Sequence, residues 1–163
     1  MSIKFTEAAK KDLPFLRDML YEAIFVAEGE DPYPRKILDL PAISKYIDNW
    51  KKEGDIGILA YLNNIAIGAI WGRIFSNENK GYGFVAENIP EMSMAIKSEY
   101  RNQGIGTELL VNFFKIAKHA GYNAISLSVD QKNPAVRLYK KMGFKIVDKP
   151  GSDYTMLKEI HLY

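Results

Sequence analysis

Residues 100–107 read Tyr-Arg-Asn-Gln-Gly-Ile-Gly-Thr, between an apolar run at 92–96 and an amphipathic segment that ends at Gly121. Strand, glycine turn, then helix is the expected order, and it constrains the fold more than any other stretch. Two glycines let the backbone pass close to a ligand, and the free N–H groups of a helix's first turn converge on whatever lies ahead of it. An anion is the natural guest of such a cradle. Two nucleotide-binding readings fail on spacing. The dinucleotide fingerprint needs a third glycine where Leu109 stands, and the triphosphate loop needs a Gly-Lys-Ser/Thr string that the chain lacks. What is left, R-x-x-G-x-G, is by itself also compatible with an ordinary glycine turn.

The rest of the chain supplies an alternation of strands and helices around this turn. Residues 3–8 are a strand candidate, followed by a helix with Asp12 as N-cap, Pro14 in its first turn and an apolar face of Leu13, Leu16, Leu20, Ala23 and Ile24. Residues 25–40 hold Pro32, Pro34 and the acidic group Glu28, Glu30 and Asp31, and read as a loop. A second helix is expected from Pro41, with Ile43, Tyr46, Ile47 and Trp50 at helical spacing and Gly54 beyond its end. Residues 56–61 and 66–75 form a hairpin turning at Asn63-Asn64, and residues 82–85 extend its sheet. After the strand at 92–96, Ile105, Leu109, Leu110, Phe113, Phe114 and Ala117 make one stripe of a helix that Gly121 stops. A strand at 124–129, a short helix at 134–142, and strands at 144–147 and 154–157 complete a mixed α/β order.

Composition narrows the function classes. At 163 residues and 47% hydrophobic, the chain fits one domain, 1–163, with a real core. A formal charge of +2 leaves no polybasic stripe, so no nucleic-acid partner is expected. The absence of cysteine removes disulfides, thiolate metal sites and a cysteine acyl-enzyme. His119 and His161 belong to no metal-binding cluster, and no metal is expected. No signal-peptide core or membrane-length apolar run occurs, which points to a soluble, cytoplasmic protein with no membrane partner.

The stretch at 128–144 makes the reading specific. Asn133, Ala135, Tyr139, Gly143 and Phe144, taken with R-x-x-G-x-G at 101–106, resemble the acetyl-coenzyme A-binding half of the GNAT superfamily of N-acetyltransferases. Looser likeness runs through almost the whole chain, closest to a poorly characterised bacterial branch through the helix at 12–23 and the Gly-Ala-Ile-Trp-Gly-Arg strand at 68–73. The resemblance implies the GNAT acyl-CoA N-acyltransferase fold: a mixed central sheet of about seven strands flanked by about four helices. It implies acetyl-CoA as cosubstrate and an amine as acceptor.

For coenzyme A, the amides of Asn102, Gln103, Gly104, Ile105, Gly106 and Thr107 are candidates to bind the pyrophosphate, with Arg101 ordering the loop or neutralising charge. The resemblance further implies that backbone groups of Met94, Ala95 and Ile96 pair with the pantetheine arm, and that the strands carrying Met94 and Val129 splay to admit the thioester. Asn133 resembles the family asparagine beside the cofactor; as a helix N-cap before Pro134 it would equally be explained.

Without cysteine, the simplest chemistry is direct attack of an amine on the thioester in a ternary complex. Tyr139 matches the family tyrosine that faces the sulfur and is assigned as general acid or hydrogen-bond donor to the thiolate, with a core tyrosine as the alternative. Glu91 resembles a carboxylate that several members place near the amine, directly or through water; a solvated strand-edge glutamate is its alternative. Ser128 stands where some relatives carry a glutamate base, which closes that route and leaves Glu91, or a water held by backbone carbonyls, as the base. The acceptor pocket is expected to involve Glu28, Trp71, Tyr82 and Phe84, with a small molecule or a peptide N-terminus as guest. Exposed aromatics would suit a homodimer. Transfer of another acyl group, and a noncatalytic acyl-CoA sensor, are the competing functions.

Overall fold

The computed structural model describes residues 2–160, which leaves His161 outside the described residues. Seven strands form one sheet in the order β1-β2-β3-β4-β5-β7-β6. These are β1 (Ile3–Glu7), β2 (Ile56–Leu62), β3 (Ile65–Arg73), β4 (Glu91–Ile96), β5 (Ala124–Asp130), β6 (Lys145–Asp148) and β7 (Asp153–Glu159). The helices are α1 (Leu13–Ala23), α2 (Pro41–Ser44), α3 (Ile105–His119) and α4 (Ala135–Lys141). Seven strands and four helices in this order are the expected architecture. Among the described residues no helix is long and apolar enough to cross a membrane.

The β2–β3 hairpin closes where the sequence places it. Asn63 and Asn64 both take positive φ, 51° and 66°, as a two-residue hairpin turn of right-handed twist requires. β2 and β3 are buried on both faces because a core lies on each side of the sheet. On one side Leu109, Leu110, Phe113 and Ala117 of α3 pack on Ile58, Ile70, Ile125 and Leu127. On the other, Leu16, Met19 and Leu20 of α1 pack with Leu59, Ala69 and Trp71. Asp12 does not cap α1 in the simple way expected. It closes a short 3-10 turn, and its carboxylate accepts from the Ala9 amide at 2.7 Å.

Two expected elements are corrected. The second helix lasts only four residues, and the chain then turns through Asn49 and Lys51, both at positive φ. The cause is competition for its carbonyls. Arg73 Nη1 donates to Lys45 O at 2.8 Å and Asp48 O at 2.6 Å, and Trp71 Nε1 donates to Tyr46 O at 3.0 Å. Oxygens that a continuing helix would bond along its own axis are held by β3 instead. Residues 82–85 are likewise not a strand. Tyr82 and Gly83 form a tight turn in which Phe84 N–H bonds Gly81 O at 3.2 Å, and Val85 follows it without regular structure.

Candidate active site

Among the described residues β4 and β5 are the only parallel neighbours, and their register holds one pair, Glu91 with Ser126. Ser126 N–H bonds Pro90 O at 3.0 Å, after which no further pairing joins the two strands. The strands therefore part toward Ile96 and Asp130. The fork frees backbone groups that a complete ladder would have used.

Beyond the end of β4, Gly104 takes φ 82° and starts α3, a conformation that glycine adopts without steric cost. Glu108 N–H makes the helix's first bond, to Gly104 O at 3.3 Å, so the amides of Ile105, Gly106 and Thr107 precede the helical ladder. A Cβ on Gly104 would meet nothing within 4 Å, so the backbone there is open to approach. Asn102 also has positive φ, 62°. This is a cradle with room and donors for a pyrophosphate, and the residues fit the group the sequence implies. Arg101 folds back to order the loop: its Nε donates to Ile96 O at 3.0 Å, and Nη2 lies 3.4 Å from Glu22 of α1.

Across the fork, Asn133 Oδ1 accepts from Ala135 N–H at 2.9 Å, so Asn133 does cap the start of α4. Its side-chain amide N–H groups are not used by that bond. Tyr139 is buried on α4, its ring 5.7 Å from Phe144 in an edge-to-face pair. Among the described residues its hydroxyl bonds no other group. Burial pushes that hydroxyl up to about 12, so at neutral pH it carries a proton to donate. It is a core tyrosine whose hydroxyl stays protonated at neutral pH.

Glu91 is not the solvated strand-edge residue its position suggests. It is 3% exposed. Its cross-strand partner Arg73 is committed elsewhere, to Asp55 at 3.1 and 2.7 Å through two bonds and to the two carbonyls already named. Glu91 Oε2 instead accepts a 2.6 Å bond from the Tyr46 hydroxyl, and that hydroxyl accepts the Tyr82 amide at 2.7 Å. Burial raises the Glu91 carboxyl to about 7, against opposing pulls from the Tyr46 bond, the Gly83 backbone and the Lys45 charge. Among the described residues, Glu91 Oε1 and the Ser126 hydroxyl, on register partners, are both buried without a hydrogen-bond partner.

The 81–83 turn closes over this carboxylate. A Cβ on Gly81 would lie 2.2 Å from Glu91 Oε1, and one on Gly83 would lie 2.5 Å from the Leu127 carbonyl carbon, so both glycines are needed for the approach. The turn therefore spans from Glu91 to the β5 backbone at the fork. Tyr82, 57% exposed, and Phe84, half-buried, flank it. Glu28 is exposed in the loop after α1. Trp71 does not suit the acceptor pocket expected of it: it is 1% exposed, with its indole N–H on Tyr46 O. Sequence reasoning took Tyr46 only as an apolar helix position and missed its part in the site. The one available signal was a hydroxyl within an otherwise hydrocarbon stripe.

The model of the acetyltransferase (GNAT) family matches residues 16–144, and the chain belongs to that family. Among curated relatives, a probable N-acetyltransferase san of Drosophila melanogaster is 34% identical over 64% of this chain and 55% of its own length. The chain thus spans about half the length of that relative. A spermidine N(1)-acetyltransferase of Thermoplasma acidophilum is 27% identical over 98% of both chains. The solved structure of the PaiA N-acetyltransferase of Thermoplasma acidophilum with coenzyme A superposes with a TM-score of 0.66 at 26% identity, covering 98% of this chain and 99% of that one. The YncA acetyltransferase of Salmonella typhimurium with acetyl-CoA shares the fold at a TM-score of 0.72 and 15% identity, over 100% of this chain and 96% of that one.

Proposed function

We propose that this chain transfers the acetyl group of acetyl-CoA directly to a primary amine, with Glu91 accepting the amine's proton and Tyr139 donating one to the departing thiolate. The observation that carries the proposal is a buried carboxylate with its pKa near neutrality, placed where β4 and β5 begin to part. A base is most useful when it titrates near the working pH.

When bound, acetyl-CoA supplies the thioester, and the chain supplies proton traffic and alignment. Glu91 takes one proton from the ammonium, and the free amine nitrogen attacks the thioester carbonyl carbon. The C–N bond forms, the C–S bond breaks, and Tyr139 protonates sulfur. The second proton lost by the amine balances the one Tyr139 gave. Backbone groups of Met94, Ala95 and Ile96 would hold the pantetheine arm, the Ile96 carbonyl being shared with Arg101, while the amides at 102–107, Arg101 and the side-chain N–H groups of Asn133 would secure the rest of the cofactor. Tyr82 and Phe84 beside Glu91 would form the acceptor wall, and Glu28, exposed in the loop after α1, would attract a cationic amine.

The near full-length match to a spermidine acetyltransferase makes a polyamine the first acceptor to try, ahead of a peptide N-terminus. The test is acetyl-CoA-dependent thiol release with spermidine, N-terminal peptides and amino acids; a chain without cysteine adds no thiol background. Stoichiometric thiol and acetylated amine are expected. Acetyl-CoA binding with no release on any amine would refute transfer.

A further inference from the structure

Glu91 is sealed from solvent, and the group that seals it is connected to the group that orients it. The Tyr46 hydroxyl has one proton to give and gives it to Glu91 Oε2 at 2.6 Å; its oxygen receives the Tyr82 N–H at 2.7 Å. Both partners are remote in sequence, 45 and 36 positions away, so the junction is a product of the fold. Tyr46 itself is fixed at three points. Its ring packs edge-on against Phe75 at 5.2 Å, its carbonyl holds the Trp71 indole, and it is buried on all sides.

We propose that Tyr46 is a positioning residue of the acetyl-transfer site: a single hydroxyl holds the carboxylate of Glu91 and latches the 81–83 turn over it. The proposal rests on Glu91 as the proton acceptor. An amine reaches Glu91 only by displacing the turn, and displacing the turn breaks the Tyr82–Tyr46 bond. Acceptor entry and the hydrogen bonding of the base are thereby one event.

The surrounding charges sharpen the assignment. From β3, Arg73 faces the same side as Glu91 but is held by Asp55. From the segment after α2, Lys45 is anchored to Asn79 Oδ1 at 3.0 Å and to Lys80 O, and it stabilises the carboxylate from a distance. From the turn come Tyr82 and the Gly83 backbone. Tyr46 is the side chain in direct hydrogen-bond contact with the carboxylate.

Two readouts that need no acceptor test this. The carboxyl carbon of Glu91 is titrated by NMR in glutamate-labelled protein, with Glu91→Gln assigning the resonance, and the Tyr82 amide is followed by hydrogen exchange. The wild-type midpoint is expected at about 7. Tyr46→Phe removes a charge-assisted hydrogen bond, raising the midpoint by about one pH unit, and the Tyr82 amide exchanges at least about tenfold faster. If the wild-type midpoint is near 7 and Tyr46→Phe changes neither readout, the latch is refuted while Glu91 keeps its role. A wild-type midpoint in the ordinary carboxylate range overturns both. Should Tyr46→Phe fail to fold, the wild-type protein alone decides. Tyr82 protection, corrected for intrinsic exchange, is expected to weaken as Glu91 protonates and to be pH-independent in Glu91→Gln. Identical profiles in the two proteins refute the coupling.

Discussion

Replacing Glu91 by Gln isolates what it costs the fold to keep this carboxylate buried. The carboxyl sits at about 7 in the folded chain and at 4.5 when free. Below 4.5 it is protonated in both states and contributes no difference. As pH rises from 4.5, the unfolded chain releases its proton first and the folded chain resists, so the wild type loses stability across the window from 4.5 to 7. Above 7 both states are ionised and the loss is complete. A gap of about 2.5 pH units at about 1.36 kcal/mol each is roughly 3 kcal/mol. Gln has nearly the same shape, can still accept the Tyr46 hydroxyl, and does not titrate. The difference in stability, variant minus wild type, should therefore grow by roughly 3 kcal/mol between pH 4.5 and 8. In a chain of this size that is on the order of 6–12 °C in Tm. Thermal melts of both proteins across that range provide the assay. A difference that stays flat with pH would refute the raised carboxyl and, with it, the physical reason for casting Glu91 as a base.

Four further outcomes follow from the same geometry. Tyr139→Phe should keep acetyl-CoA affinity, read by calorimetry, while slowing transfer at least about tenfold, since only the hydroxyl is lost. Asp55→Ala strands the buried Arg73 guanidinium and should destabilise the fold by about 3–5 kcal/mol in denaturant titrations. Gly81→Ala forces a methyl to within 2.2 Å of Glu91 Oε1, and should abolish most transfer with acetyl-CoA binding intact. Gly104→Ala strains a backbone at φ 82° by about 1 kcal/mol and should weaken acetyl-CoA binding several-fold, measured by titration calorimetry.

How much of this was legible in the sequence depends on distance along the chain. The glycine turn before α3, the Asn63-Asn64 hairpin and the cap at Asn133 are written in residues a few positions apart, where turn and cap chemistry acts directly. They formed as expected. The early end of α2 was invisible because its cause, the demand of Arg73 and Trp71 for main-chain oxygens, comes from a strand 25 and 28 residues later. Glu91 was legible as a candidate but its burial was not, since the cover comes from a glycine turn that reads locally as strand. Tyr46 was hidden most completely: helical periodicity explains it as core, and only the folded sheet brings a carboxylate to its hydroxyl.

The central claim, amine acetylation with Glu91 as proton acceptor, is met most directly by the pH dependence of kcat/KM for wild type and Glu91→Gln on the same acceptor. The acceptor's own ionisation is then common to both. The wild type should show an acid limb near pH 7, and Glu91→Gln should lose that limb while falling about a hundredfold or more in rate. A Glu91→Gln protein with wild-type rate and the same acid limb would contradict the account.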